Sequence, residues 1–119
     1  MTKDEYLREA SRWRIDSELV ARVEHRYSVE LPELLKRIVS HSEDPVFFDD
    51  GTHILSYAEV IDAEDDLHVD FSGRKIIPVA DCLDNDYIVY DYEHDVWALF
   101  NTTDEILFKE RESLEELLK

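Results

Sequence analysis

The segment from Ile77 to Phe100, IPVADCLDNDYIVYDYEHDVWALF, holds Asp81, Asp84, Asp86, Asp91, Glu93 and Asp95 and no Lys or Arg. Carboxylates at that density first suggest a cation site, because hard divalent ions take oxygen ligands. A second acidic run, DAEDDLHVD, sets Asp62, Glu64, Asp66, His68 and Asp70 at alternate positions. Neither run fits a calcium loop. Counted from Asp62, the sixth position is Leu67 where the loop needs Gly, and the twelfth is Gly73 where it needs a bidentate Glu. Asp84, Asn85 and Asp86 are adjacent but lack that frame as well. The acids are expected to form solvated faces, with no metal and no cofactor.

Nucleophilic chemistry finds little support. Cys82 lies among acids, which disfavour a thiolate, and is expected to be a small strand-end residue. The histidines, at 25, 41, 53, 68 and 94, never show the i, i+4 spacing of a zinc helix. With only Gly51 and Gly73, no glycine-rich phosphate loop can form. The residues point to a protein that is not an enzyme.

Charge distribution says more. Residues 1–37 carry eight basic and eight acidic residues, so the whole net charge of −17 falls on residues 38–119. Arg74 and Lys75 alone interrupt the basic-free stretch from Ile38 to Phe108. Such a chain repels nucleic-acid phosphate and anionic membranes. It attracts basic proteins, and quickly. The single cysteine excludes an internal disulfide and fits a reducing compartment. The charged N-terminus, MTKDEYLREASRWR, lacks the apolar core of a secretion signal, and no apolar run is long enough to span a membrane. A cytoplasmic location is expected.

The elements that must position these residues are legible in the periodicity. At 119 residues the chain has the length of one domain, 1–119, with enough apolar residues for an ordinary core. Thr2 and Glu5 form a capping-box pattern ahead of Tyr6, Leu7, Ala10 and Trp13. Asp16 caps a second helix through Leu19, Val20, Val23 and Tyr27, with Glu18 facing Arg22. Pro32 opens a third helix through Leu34, Leu35, Ile38 and Val39. VFF and HIL then read as short strands around the turn Asp49-Asp50-Gly51-Thr52. Ser56 and Glu59 box a helix toward Leu67, and Ser72-Gly73 reads as a turn. Four strand-like runs follow: KIIPVA, DYIVYDY, VWALFN and EILFKE; Ser113 and Glu116 cap a last helix, LEELLK. This order predicts an α+β fold, with N-terminal helices and a C-terminal helix packed on a mostly antiparallel sheet of four to six strands. The runs YIVY and VWALF are nearly continuous in hydrophobicity, so both faces of the central strands should be covered. The acids fall at the ends of these runs, where water screens them.

The layout resembles the SUKH superfamily, domains related to a yeast cell-wall-assembly regulator and abundant as bacterial immunity proteins. The likeness rests on VELPELLKRIV, similar to the family's Leu-Pro helix start, and on ILSYAEVID, similar to its strand-to-helix step. It rests also on IIPVADCLDNDYIVYD, VWALFN and SLEELL, which resemble its Ile-Pro strand, acidic turn, next strand and closing helix. Together these span about Val29 to Leu118. One departure is HSEDP, where members often carry Asn-Gly after the Leu-Pro helix. The resemblance implies a protein-binding domain without shared catalytic residues, often an immunity protein against a toxin delivered by a rival bacterium. Many such toxins are nucleases with basic grooves. The expected partner is thus a basic toxin domain, met by acids beside aromatics at Asp49, Asp50, Asp84, Asp86, Asp91, Tyr92 and Glu93. A regulatory scaffold of the same fold, without a toxin partner, is the alternative.

Overall fold

The computed structural model describes residues 1–118; the final residue of the LEELLK prediction, Lys119, lies outside them. Three helices come first: α1 (Lys3–Ala10), α2 (Ser17–Tyr27) and α3 (Glu33–Ser40). Each begins where local chemistry allows. The Thr2 hydroxyl accepts from the Glu5 amide, and Asp16 Oδ1 accepts from Glu18 and Leu19. These side chains satisfy donors that have no partner inside the first helical turn. Pro32 sits just ahead of α3 in extended backbone, with no side-chain cap.

Two short strands, β1 (Val46–Phe47) and β2 (His53–Ile54), flank a turn in which Gly51 adopts φ +88°. Helix α4 (Tyr57–Leu67) opens with the reciprocal box of Ser56 and Glu59. A brief helical turn, α5 (Phe71–Arg74), stands where the sequence suggests only a Ser72-Gly73 turn. Asp70 causes the difference: its carboxylate accepts from the Gly73 amide at 3.0 Å and holds the turn helical. A Cβ at Gly73 would lie 2.1 Å from Asp70 Oδ2, so a larger residue there would displace the capping carboxylate. Then come β3 (Ile76–Asp81), β4 (Asp86–Asp91), β5 (Val96–Asn101), β6 (Ile106–Arg111) and α6 (Leu114–Leu118).

The six strands form one antiparallel sheet in chain order, β1 to β6, which is a meander. The fold is therefore α+β, as the order of elements predicts. Consecutive residues Ile76 and Ile77, Val79 and Ala80, and Ile88 and Val89 are all buried. Consecutive side chains point to opposite faces of a strand, so both faces of the sheet centre are covered. On one face Phe71 of α5 meets Phe100 at 5.9 Å between ring centroids. The Tyr27 hydroxyl donates to the Val60 carbonyl at 2.7 Å and ties α2 to α4. Trp97 packs on Tyr90 at 5.0 Å between ring centroids. Edge strand β6 is the exception: among its residues only Leu107 is even half-buried. No helix among the described residues is long and apolar enough to cross a membrane.

Candidate functional site: an acidic end of the sheet

The meander gives the sheet two unlike ends. At one end lie the β1–β2, β3–β4 and β5–β6 turns; at the other lies the β4–β5 turn. The first three turns touch one another in sequence. Leu83 of the second lies over Gly51 of the first, 3.6 Å from where a Cβ would stand. The Thr102 amide of the third donates to the Asn85 carbonyl of the second at 2.9 Å.

The middle turn is unusual backbone. Leu83, Asp84 and Asn85 are all left-handed, at φ 72°, 53° and 66°. A residue with a Cβ loses about 1–2 kcal/mol there, and Asp and Asn tolerate it best. Local bonds offset the cost. Leu83 N donates to Asp81 Oδ1 at 2.9 Å, Cys82 N to the Asp86 carbonyl at 2.8 Å, and Asp86 N to the Leu83 carbonyl at 2.9 Å. Asn101 Nδ2 bonds Asp86 Oδ1 at 2.9 Å from the neighbouring strand. Asp81 and Asp86 are therefore half-buried fastenings of the turn. In the first turn Asp50 accepts from Lys3 Nζ at 2.6 Å and from both the amide and hydroxyl of Thr52. The Lys3 ammonium, followed by the Thr52 donors, holds the Asp50 carboxyl well below the usual carboxylate range. In the third, Glu105 pairs with Arg74 at 3.0 Å.

What remains is one free carboxylate per turn. Asp49, Asp84 and Asp104 are exposed, and their carboxylates make no hydrogen bond or ion pair among the described residues. Lys3 and Arg74 are the cations paired into this end. Sequence reasoning named Asp49 and Asp84 but not Asp104, although Asn-Thr-Thr-Asp-Glu is a turn signal of the same kind.

The opposite end uses its acids differently. Asp91 is 3% exposed, and its carboxylate turns inward. It accepts from the Glu93 and His94 amides, both at 3.1 Å, and faces His94 Nδ1 at 2.8 Å. The Asp91 carboxylate, by this contact first, pushes the His94 imidazole up from its ordinary value. Asp95 accepts from the Tyr90 hydroxyl at 2.6 Å. The half-buried Tyr92 hydroxyl lies 3.3 Å from the Tyr27 carbonyl and 3.2 Å from that of Ser72, so it faces α2 and α5. Glu93 stays exposed, 3.8 Å from Lys75. The seven residues expected to meet a partner thus divide. Asp49, Asp50, Asp84 and Asp86 share one end; Asp91, Tyr92 and Glu93 lie a strand length away, about 17 Å. The Asp91 carboxylate is buried and the half-buried Tyr92 turns its hydroxyl inward, because a polar group out of water takes the donor or acceptor the fold offers.

The DAEDDLHVD run does not gather either. On a helix, alternate positions rotate away from each other. Glu64 turns inward, where its carboxylate accepts from Ser72 N at 2.6 Å and Arg26 at 3.1 Å. Burial alone would raise its pKa, but the Ser72 and Arg26 donors outweigh that and hold it low. Asp62 and Asp66 stay exposed on α4, His68 ends the helix with left-handed backbone, and Asp70 caps α5. Among the described residues no three His, Cys, Asp or Glu side chains converge as a metal site would require. Burial pushes the Cys82 thiol up to about 11, so it is a protonated, half-buried side chain near neutral pH.

In class, then, the chain is an α+β domain built on a six-stranded antiparallel meander with an acidic end. No family model matches it, and searches among curated proteins and solved structures find no match.

Proposed function

We propose that this protein is a binding module of the SUKH type, an immunity protein that captures and neutralises a basic toxin domain through the three-turn end of its sheet. One observation carries the reading: three neighbouring hairpin turns, the second packed by Leu83 on the first and hydrogen-bonded to the third, each present an unpaired carboxylate. Acids that merely keep a chain dispersed need no fixed positions. Pre-ordered acids lower the entropic cost of association and steer a cationic surface before contact. A nuclease groove built for phosphate is such a surface.

The test is binding to the product of the neighbouring gene. The association rate constant should fall about tenfold or more between 50 and 300 mM salt. The variant carrying Asp49→Asn, Asp84→Asn and Asp104→Asn should associate at least about tenfold more slowly, with dissociation changed less. Absence of binding would defeat the proposal. Binding indifferent to both salt and these substitutions would favour the regulatory scaffold instead.

A further inference from the structure

Beside the acidic end, α4 and β4 enclose a small cleft lined by Leu55, Glu59, Ala63, Asp66, Leu67 and Tyr87, of about 50 Å³. Ligand pockets for small metabolites run to about 300 Å³ or more, so this one suits part of a single side chain. Its walls are of two kinds. Leu55, Ala63 and Leu67 are apolar. The others are polar: Glu59, whose Oε1 accepts from the Ser56 amide, and the exposed Asp66, which has no partner among the described residues. Glu59 Oε2 also faces His53 Nε2 at 3.4 Å, and His53 stacks on Phe47 at 4.5 Å. Phe47 is 63% exposed. Burial and the neighbouring Asp81 push the Tyr87 phenol up to about 12, which keeps it a neutral hydroxyl.

Any protein covering this cleft removes water from Asp66 and Glu59. A neutral apolar side chain would leave the Asp66 carboxylate desolvated and without a partner, whereas Glu59 keeps the Ser56 amide and His53. A cation on an aliphatic stem satisfies both walls: methylenes on the apolar floor, charge at the rim. Arginine fits better than lysine. Its planar head can stack on a ring such as Tyr87 of the lining and can pair bidentately with a single carboxylate.

We propose that this cleft is the anchor for an arginine side chain of the basic partner. This deepens the reading above and rests on it for the partner's identity, but the cleft itself can be probed alone. The probe is the peptide acetyl-Gly-Ser-Arg-Ser-Gly-amide, with citrulline in place of arginine as the uncharged control. In an NMR titration, amide shifts should be confined to residues around Leu55, Ala63, Leu67 and Tyr87 and saturate at millimolar peptide. Asp66→Asn should weaken binding about fivefold or more, as loss of one charge-assisted contact would. Asp65→Asn, exposed on α4 but outside the cleft, should leave it unchanged. Equal binding of the citrulline peptide, shifts spread over the sheet turns, or indifference to Asp66→Asn would each overturn the anchor. The two proposals fail separately. A neighbouring gene product that binds the three-turn end but ignores Asp66→Asn removes the anchor alone; a cleft that takes arginine without any such binding partner removes the immunity reading alone.

Discussion

The two ends of this sheet carry similar sequences and use their carboxylates differently. Asp-Tyr-Glu-His-Asp at the β4–β5 turn and Asp-Cys-Leu-Asp-Asn-Asp at the β3–β4 turn are equally acidic by inspection. At the first, Asp91 and Asp95 are bound by backbone amides, an imidazole and a phenol, and Glu93 stands near Lys75. At the second, Asp81 and Asp86 hold the turn while Asp84 is left outside it, next to the free Asp49 and Asp104 of the adjoining turns. Composition alone therefore misjudges which acids are available. An Asp two or three residues before an unpaired amide is a fastening, and only acids beyond that reach are free to act on another molecule.

Substitutions separate the two ends by size of effect. The largest change should come from Asp91→Ala, which removes a buried carboxylate and strands the part-buried Glu93 and His94 amide donors. A loss of about 2–4 kcal/mol in urea-unfolding stability is expected, and a loss under about 1 kcal/mol would mean that water substitutes for the carboxylate. Glu64→Gln, on the inward side of α4, should cost about 1–2 kcal/mol through its bonds to Ser72 and Arg26. Its pH dependence is also fixed in sign. The folded pKa is lowered, so the Glu64 contribution is complete above the unfolded carboxyl range and fades as pH falls through the lower folded value. The wild-type acid-unfolding profile should lose that component in Glu64→Gln.

His94 works in the opposite direction. Its folded pKa is raised by Asp91, so its contribution is complete below about 6.5 and is lost as pH rises through the folded value. An NMR titration should place His94 above the ordinary histidine range, and Asp91→Asn should bring it down. The smallest effect belongs to the three-turn end. Asp49→Asn, Asp84→Asn and Asp104→Asn together should shift stability by less than about 0.5 kcal/mol, with any change toward greater stability at low salt. Asn is chosen because it accepts the left-handed backbone at position 84. A large loss here would mean these carboxylates also hold the fold and would blur the contrast between the ends.

Much of the fold is legible before the structure is seen. The caps at Thr2, Asp16 and Ser56 mark helix starts that the structure retains. The four apolar runs after Lys75 become four paired strands, because continuous hydrophobicity between acidic breaks leaves few other arrangements. The helical turn at Phe71–Arg74 is not read from the Ser72-Gly73 pair alone, because it depends on the Asp70 carboxylate accepting from the Gly73 amide. The candidate site is half legible. Asp49 and Asp84 can be named from turn chemistry, Asp104 is overlooked in a less acidic turn, and Asp91 and Tyr92 look like their neighbours until burial is known.

Sequence alone determines the element types, their order and the concentration of negative charge after residue 37, since propensity, capping and composition act over a few residues. Tertiary structure decides which carboxylates remain available to another molecule. That choice depends on strand register and turn contacts, which bring Gly51 under Leu83 and Thr102 against Asn85, and turn Asp91 away from water. The contacts between turns join residues distant in the chain, so no local pattern encodes them.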